Sequence, residues 1–159
     1  MSDASEGRPR PSMIAVIAAL VLGFVVGNAF VDRGDVKGAE KVLRENLEAV
    51  DREDRDAMIA SFHPDSPFKA QAGALFDQLM PELDVSEELL GFEPIAASGD
   101  LLIARFVQRT DREGQSPSTA AFVDNEITGL AIFRLKDGTP RIWMTVPIEA
   151  REVTRTLAK

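Results

Sequence analysis

The single histidine of the chain, His63, sets the first limit on its chemistry. The sequence contains no cysteine and no tyrosine. Disulfides, thiol nucleophiles and cysteine zinc sites are therefore excluded, and one chain cannot supply a metal site with two or more histidine ligands. A serine–histidine–acid triad would have to use His63. We expect no cofactor.

A run of acidic residues is the next place where chemistry could occur. It consists of Asp51, Glu53, Asp54 and Asp56. Carboxylates can bind calcium, but the spacing and the glycine of a calcium loop are missing. We interpret the run as a break between two helices, with Asp54 as the N-cap of the second. The sequence thus predicts no metal site.

The net charge of −8 lies entirely on the part of the chain after Val31. Before that point, Asp3 and Glu6 are balanced by Arg8 and Arg10. A surface this acidic repels the phosphates of nucleic acids, so we expect no nucleic-acid partner. The simplest interpretation of the acidity is solubility.

The most apolar segment of the chain is residues 13–31, which contain no charge. About 20 apolar helical residues span a bilayer core, so we predict a single-pass signal anchor that follows a disordered polar tail at residues 1–12. Basic residues flank both ends, and the short tail favours a domain on the extracytoplasmic side of the cell membrane. Two alternatives remain open. A signal peptide cleaved after Ala29 would give a secreted protein, and a buried core helix is disfavoured because no face is polar.

Two small residues in this segment, Gly23 and Gly27, are spaced so that they lie on one helix face. Such a pair lets two membrane helices approach closely. It could therefore pair two copies of the chain, although glycine is also common in membrane helices without pairing.

Hydrophobic periodicity predicts three helices after a charged linker at residues 32–37. The first is amphipathic, and the acidic run ends it. The second begins after Asp54 and stops at His63. The third is capped by Ser66, with Pro67 at its first position, and ends at Pro81. Its predicted buried face consists of Phe68, Ala72, Leu75, Phe76 and Leu79.

After Pro81 the pattern changes to strands. We predict strands over residues 83–97, 101–110, 119–135 and 141–148, the third with a bulge near Asp124 and Asn125. Turns at residues 98–100 and 136–139 and a polar loop at 111–117 connect them. The globular domain then covers residues 38–150, and residues 151–159 form a tail.

Three segments of this pattern resemble the nuclear transport factor 2-like superfamily, also called SnoaL-like. They read ENLEAVDREDRDAMIASFHPDSP, LLGFEPIAASGDLLIARFVQRTD and GLAIFRLKDGTPRIWMTV. The resemblance implies an α+β fold, a cone-shaped barrel in which three helices pack on a curved antiparallel sheet of about four strands. It says little about activity, because the superfamily includes enzymes, binding modules and assembly domains.

The enzymes of this superfamily imply two kinds of catalytic site. Those of the ketosteroid-isomerase type use a buried carboxylate and an oxyanion donor, often tyrosine. This chain has no tyrosine, and no pair of acids stands out. Dehydratase relatives use a His–Asp pair, which here could only be His63 and Asp65. Their place at the end of the second helix favours a structural role, but they remain the catalytic candidates.

Three further residues are candidates for binding a ligand in the cone. Trp143 alternates with Ile142 and so points to the opposite sheet face, where it could line the mouth or pack in the core. Arg105 and Arg109 share one face of their strand. Inside the cone they could hold an anion, whereas on the other face their stems would lie over the sheet in solvent.

These observations favour a membrane-tethered, non-enzymatic domain that binds a protein partner or a small apolar ligand. One alternative is a small lyase or isomerase that uses a carboxylate in the cone. Another is a structural homodimer formed through the open sheet face and the glycine pair.

Overall fold

In the residues that the structure describes, three helices precede a four-stranded antiparallel sheet. The computed structural model describes residues 33–114 and 124–152. The helices are α1 (Arg33–Asp51), α2 (Arg55–Ala60) and α3 (Lys69–Leu79), and the strands are β1 (Leu83–Ser98), β2 (Leu101–Gly114), β3 (Asn125–Lys136) and β4 (Thr139–Glu152). The strands lie in chain order, each antiparallel to the next. This confirms the predicted α+β architecture of helices on an antiparallel sheet.

Helix α1 begins earlier than predicted. The linker expected at residues 32–37 is wrong from Arg33 onward, because these residues already form the first turn of α1. Val36 packs against the core, so the segment buries apolar surface that a linker would leave in water. Asp35 also lies in this first turn, where its charge suits the positive end of the helix dipole.

The break between α1 and α2 has the predicted form. The Asp54 carboxylate accepts a 3.0 Å hydrogen bond from the backbone N–H of Ala57, which is the N-cap contact. Glu53 adopts a φ of 54°, and its N–H donates to the carbonyl of Val50. The chain thus reverses within a few residues, and α2 packs beside the C-terminal half of α1.

The start and the packing of α3 differ from prediction. Phe68 is the N-cap residue and makes no side-chain cap hydrogen bond. Ser66, the predicted cap, lies two residues earlier. Its Oγ accepts a 3.2 Å hydrogen bond from the backbone N–H of Phe68 and donates a 2.6 Å hydrogen bond to the carbonyl of Trp143. The predicted buried face is also wrong in part, since Leu75 is 53% exposed and Gly73 is the one fully buried residue of the helix. Helix α3 therefore lies loosely over the rest of the domain.

The hairpin between β3 and β4 forms as predicted. Asp137 and Gly138 have φ values of 52° and 73°, which is the backbone geometry of a two-residue hairpin turn. The turn at Gly99 also forms, with φ of 58°. β2 is longer than expected, because residues 111–114, predicted as loop, continue the ladder with β1.

Other boundaries also differ. β3 begins at Asn125, and the predicted start of this strand at Thr119 lies outside the described residues. The register shifts of β3 occur against β4, at Thr128/Gly129 and Ile132/Phe133, rather than near Asp124. β4 continues to Glu152, so the domain passes its predicted end at residue 150.

The core lies between α1, α2 and one face of the sheet, called here the inner face. Phe106, Phe133 and Ile142 are its large members on the sheet side, and each is at most 4% exposed. The chain at residues 61–63 extends the sheet beyond β4. Ile142 N donates to the Ser61 carbonyl at 3.0 Å, and His63 N donates to the Ile142 carbonyl at 2.8 Å.

Within the described residues, no helix is both long enough and apolar enough to cross a bilayer. The predicted anchor at residues 13–31, with Gly23, Gly27 and Ala29, lies outside the described part of the chain, as does the tail before it. These parts of the account stay predictions.

Candidate functional site

A cavity of about 320 Å³ lies between the helices and the inner face of the sheet. Most of its wall is apolar. The apolar residues are Leu43, Leu47, Val50, Met58, Phe62, Ala72, Leu75, Phe76, Leu79, Met80, Leu83 and Val85. A concave, mainly apolar space of this size with a few polar groups is typical of a small-molecule site.

Four polar residues from the sheet line this cavity, namely Glu87 of β1, Gln108 and Arg112 of β2 and Thr145 of β4, and Asn46 of α1 is a fifth polar residue of the wall. Successive strand residues point to opposite faces, so Glu87 shares the inner face with Val85 and Leu89. In the antiparallel register, Glu87 lies opposite Thr110 and Val85 lies opposite Arg112. The pairing of β1 with β2 thus brings a carboxyl and a guanidinium group to one end of the cavity.

Glu87 is held from two sides. Gln108 Nε2 lies 3.3 Å from Glu87 Oε1 and also 3.3 Å from Thr110 Oγ1. The backbone N–H of Glu87 donates to the carboxylate of Asp51, at the end of α1. These contacts fix the position of the carboxyl group between α1 and β2.

The surroundings of Glu87 change its acidity. Burial, and after it the nearby carboxylate of Asp51, raises the pKa of the Glu87 carboxyl from 4.5 to about 7. The charge of Arg112 and a hydrogen bond from Thr110 act in the opposite direction and are weaker. Near neutral pH the cavity therefore contains a carboxyl group that can both take up and release a proton.

Helix α3 closes one side of the cavity with few contacts of its own. Arg55 of α2 and Asp77 of α3 form a two-point ion pair, Nε to Oδ1 at 2.6 Å and Nη2 to Oδ2 at 3.0 Å. Gly73 lets the two helices approach, since a Cβ there would lie 3.0 Å from Arg55 Nη2. An exposed ion pair stabilises little by itself, so the packing of Ala72 and Phe76 against the core also holds α3 in place.

His63 and Asp65, the predicted catalytic candidates, do not line this cavity. His63 is buried, and its Nδ1 accepts a 3.2 Å hydrogen bond from the backbone N–H of Asp65. The Asp65 carboxylate is exposed and lies 3.9 Å from that nitrogen. The His63 ring packs 5.4 Å from the ring of Trp143. These contacts order the turn between α2 and α3.

The three predicted ligand-binding residues lie on the outer face of the sheet. Trp143 lies beneath the guanidinium of Arg134, 4.8 Å from the ring centre, and Arg105 is paired at 2.7 Å with Glu93. Arg109 shares the face of Arg105, and its Nε is buried without a hydrogen-bond partner among the described residues. None of the three lines the cavity, so a ligand-binding role for Arg105, Arg109 or Trp143 stays a prediction. Arg112 lies further along β2, on the inner face, and it is the arginine that lines the cavity.

The sequence pattern around Glu87 indicates its place in the cavity wall. Glu87 lies between apolar Val85 and Leu89 at a spacing of two, which places a carboxylate on the apolar face of a strand. Its neighbour Glu88 lies on the opposite face, opposite Arg109 in the register. The partners of Glu87 could not be deduced, because they depend on the register of β1 against β2.

Metal binding finds no support in the described residues, in which no three His, Asp or Glu side chains cluster closely enough to hold an ion.

One family model matches most of the chain. It is described as anti-sigma-I factor RsgI9, C-terminal domain, and it matches residues 41–153. No curated protein matches the sequence.

Solved structures show the same fold at low sequence identity. A candidate aromatic ring hydroxylase from Novosphingobium aromaticivorans superposes with a TM-score of 0.62 at 13% identity, covering 77% of this chain and 96% of that one. A candidate dehydratase of the NTF2-like family from Streptomyces avermitilis gives 0.58 at 13%, covering 78% and 99%. A ketosteroid isomerase-like protein from Erwinia carotovora atroseptica gives 0.55 at 17%, covering 74% and 98%. These likenesses establish an NTF2-like fold.

Proposed function

Because this chain belongs to the family of the C-terminal domain of anti-sigma-I factor RsgI9, we propose that it is a regulatory domain that binds a small molecule and engages a protein partner. The observation that carries the proposal is the cavity of about 320 Å³, with apolar walls and Glu87, Gln108 and Arg112 at one end. The family description suggests a partner connected with a sigma factor.

The loose packing of α3 supports a link between the cavity and the surface. Ala72 and Phe76 of α3 face the cavity, while Ala70 and Ala74 of the same helix are exposed. A molecule that contacts α3 from inside stabilises the positions of α3 that favour this contact. The outer side of the helix then presents a different surface to a partner. In this way a partner protein that binds the outer side of α3 would respond to whether the cavity is occupied.

We also propose that residues 13–31 tether the domain to the cell membrane, with the domain on the extracytoplasmic side. The apolar composition of the segment supports this. N-terminal sequencing of the mature protein tests it. Retention of the residues before Met13 is expected, and a mature protein that starts at Phe30 would mean that the domain is released.

A cavity-filling variant tests the regulatory role. In the source cell, deletion of the gene should change the transcript levels of a defined set of genes. The wild-type chain and Ala74→Trp, on the exposed side of α3, should restore them. Ala72→Trp, which fills the cavity from the same helix, should not. Full restoration by Ala72→Trp, at equal protein level, would show that regulation does not use the cavity, and unchanged transcripts after deletion would exclude a regulatory role.

A lyase or isomerase is the second candidate function, and the acidity of Glu87 favours it. A carboxyl with a pKa of about 7 is well matched to general acid–base catalysis at neutral pH. Arg112 could stabilise an oxyanion in place of the missing tyrosine. Proton exchange into cyclohexanone in D₂O, followed by NMR, is a direct test. Exchange that is catalysed by the wild-type chain and lost in Glu87→Gln would favour an enzyme, and exchange equal to the buffer rate would favour a binding domain.

A further inference from the structure

We propose that the cavity selects an amphipathic molecule with one positive charge, an amine whose ammonium group binds Glu87 and whose apolar body lies against the helices. This rests on the proposed small-molecule function and names the ligand class for the same site. The two carboxylates near the polar end of the cavity carry the argument.

The charged groups around Glu87 favour a positive charge beside its carboxyl group. Asp51, at the end of α1, is exposed and lies outside the cavity wall, while Arg112 of β2 lines the cavity. Asp51 raises the pKa of Glu87 by more than Arg112 lowers it, so their combined effect at the Glu87 carboxyl is that of a negative charge. The residues that α2, the segment after it and α3 contribute to the cavity wall are all uncharged, namely Met58, Phe62, Ala72, Leu75, Phe76 and Leu79.

Glu87 also has acceptor capacity left for a ligand. Two carboxylate oxygens offer about four acceptor positions. Within the described residues, the side-chain donors to Glu87 are Gln108 and Thr110, both from β2. An ammonium group has donors only, so it can fill the remaining positions with charge-assisted hydrogen bonds.

Other head groups fit this end less well. A carboxylate ligand beside Glu87 would meet a like charge, so its binding at this group would require Glu87 to take up a proton, even with Arg112 in the same wall. An alcohol could donate one hydrogen bond but would gain nothing from the charge. The apolar walls can bind the apolar part of each of these molecules equally well. Differences in affinity therefore come from the head group.

The amine hypothesis predicts the direction of proton exchange. An ammonium group beside Glu87 favours its ionised form and lowers its pKa from about 7. At pH 7, binding of an amine should therefore release protons from Glu87 to the buffer. Binding of a carboxylate should instead take protons up, and binding of an alcohol should exchange almost none.

Isothermal titration calorimetry of the full chain in lipid nanodiscs tests this with three matched probes, 4-phenylbutylammonium, 4-phenylbutanoate and 4-phenylbutan-1-ol. Titrations at pH 7 in phosphate and in Tris give the proton exchange from the difference in heat, and empty nanodiscs give the blank. We expect the amine to bind most tightly with proton release. Its affinity should fall at least about tenfold in Glu87→Gln and stay unchanged in Glu88→Gln, on the outer face of the same strand. Arg112→Gln should increase the affinity for the amine, because it removes a positive charge from the cavity wall.

Several results would overturn the proposal. Tightest binding of the carboxylate or the alcohol, proton uptake with the amine, or equal amine affinity in Glu87→Gln would each exclude the amine class while leaving a small-molecule site in place. Binding of none of the three probes above the blank would count against both the amine class and the cavity as a site. The direction of proton exchange is measured on the wild-type chain, so it tests the amine class even if Glu87→Gln alters the fold.

Discussion

Gln108 of β2 donates a hydrogen bond to Glu87 of β1, with 3.3 Å between Nε2 and Oε1. The contact lies in the wall of an otherwise mainly apolar cavity. It gives a half-buried carboxyl group one neutral partner, while Asp51 supplies a repulsive charge nearby. Burial in this wall is the main reason why the Glu87 carboxyl keeps its proton to about pH 7, and the charge of Asp51 adds to it. The first prediction depends on this raised pKa.

The domain should lose stability as the pH rises from about 4.5 to 7. The folded state binds the proton of Glu87 more tightly than the unfolded state, in which the pKa is 4.5. Stability contributed by the protonated group is therefore complete below pH 4.5 and is lost as the pH passes about 7. At pH 8, Glu87→Gln should raise the free energy of unfolding by about 1–3 kcal/mol relative to the wild type, and at pH 4 the two should be equal. Urea unfolding followed by Trp143 fluorescence measures both.

Glu88→Gln is the matched control for this prediction, because it removes the same charge from the outer face of β1. It corrects for the general effect of lowering the negative charge of an acidic protein. If Glu88→Gln raised the free energy of unfolding at pH 8 as much as Glu87→Gln, the ionised Glu87 side chain would not be specifically destabilised by its surroundings.

Gly129→Ala should destabilise the sheet. A Cβ at this position would lie 2.6 Å from Phe106 Cζ and 2.8 Å from the carbonyl oxygen of Val146. Phe106 is 4% exposed and cannot move away freely, so we expect a loss of about 1–3 kcal/mol in the free energy of unfolding. Gly91→Ala is the control, since its Cβ would meet Val107 at an ordinary 3.8 Å. Equal stability of the two variants would contradict the close approach at Gly129.

Loss of the Arg55–Asp77 ion pair should loosen α3 without unfolding the domain. Asp77→Asn removes the two-point contact that joins α3 to α2, and most of the core lies elsewhere. Hydrogen exchange measured by mass spectrometry should become faster in peptides from α3 and stay unchanged in peptides from β2 and β3. Exchanging the two residues, Arg55→Asp with Asp77→Arg, should restore part of the protection. Unchanged exchange in α3 would mean that the pair does not hold the helix.

Local rules explain how much of the fold could be predicted. Asp54 was recognised as an N-cap, and the Asp137–Gly138 turn as a hairpin, because these residues act through their own backbone. The Ser66 hydroxyl accepts from the backbone N–H of Phe68 near the start of α3, but its second bond, to Trp143 of β4, could not be predicted because β4 is far away in the chain. The exposure of Leu75 was missed for a similar reason, since periodicity assumes that a helix packs against a full surface rather than over a cavity.

The candidate site was the least predictable part. Glu87 and Arg112 approach one another only through the register of β1 and β2, which contains shifts at Leu89/Gly91 and Pro94/Ala96. One residue of slip would move each side chain to the opposite face. His63 is the only histidine, yet its contacts join the turn between α2 and α3 to β4 and do not reach the cavity. The pairing of two anchors through Gly23 and Gly27 stays a prediction.

The most direct test of the account is the small-molecule content of the full chain purified from the membranes of its source cell. Molecules extracted from the wild-type chain, Ala72→Trp and Ala74→Trp would be compared by mass spectrometry at equal protein amounts. We predict a molecule that is enriched with the wild-type chain and with Ala74→Trp and depleted in Ala72→Trp, which fills the cavity. Equal amounts of every extracted molecule in all three preparations would contradict a cavity that binds a small molecule.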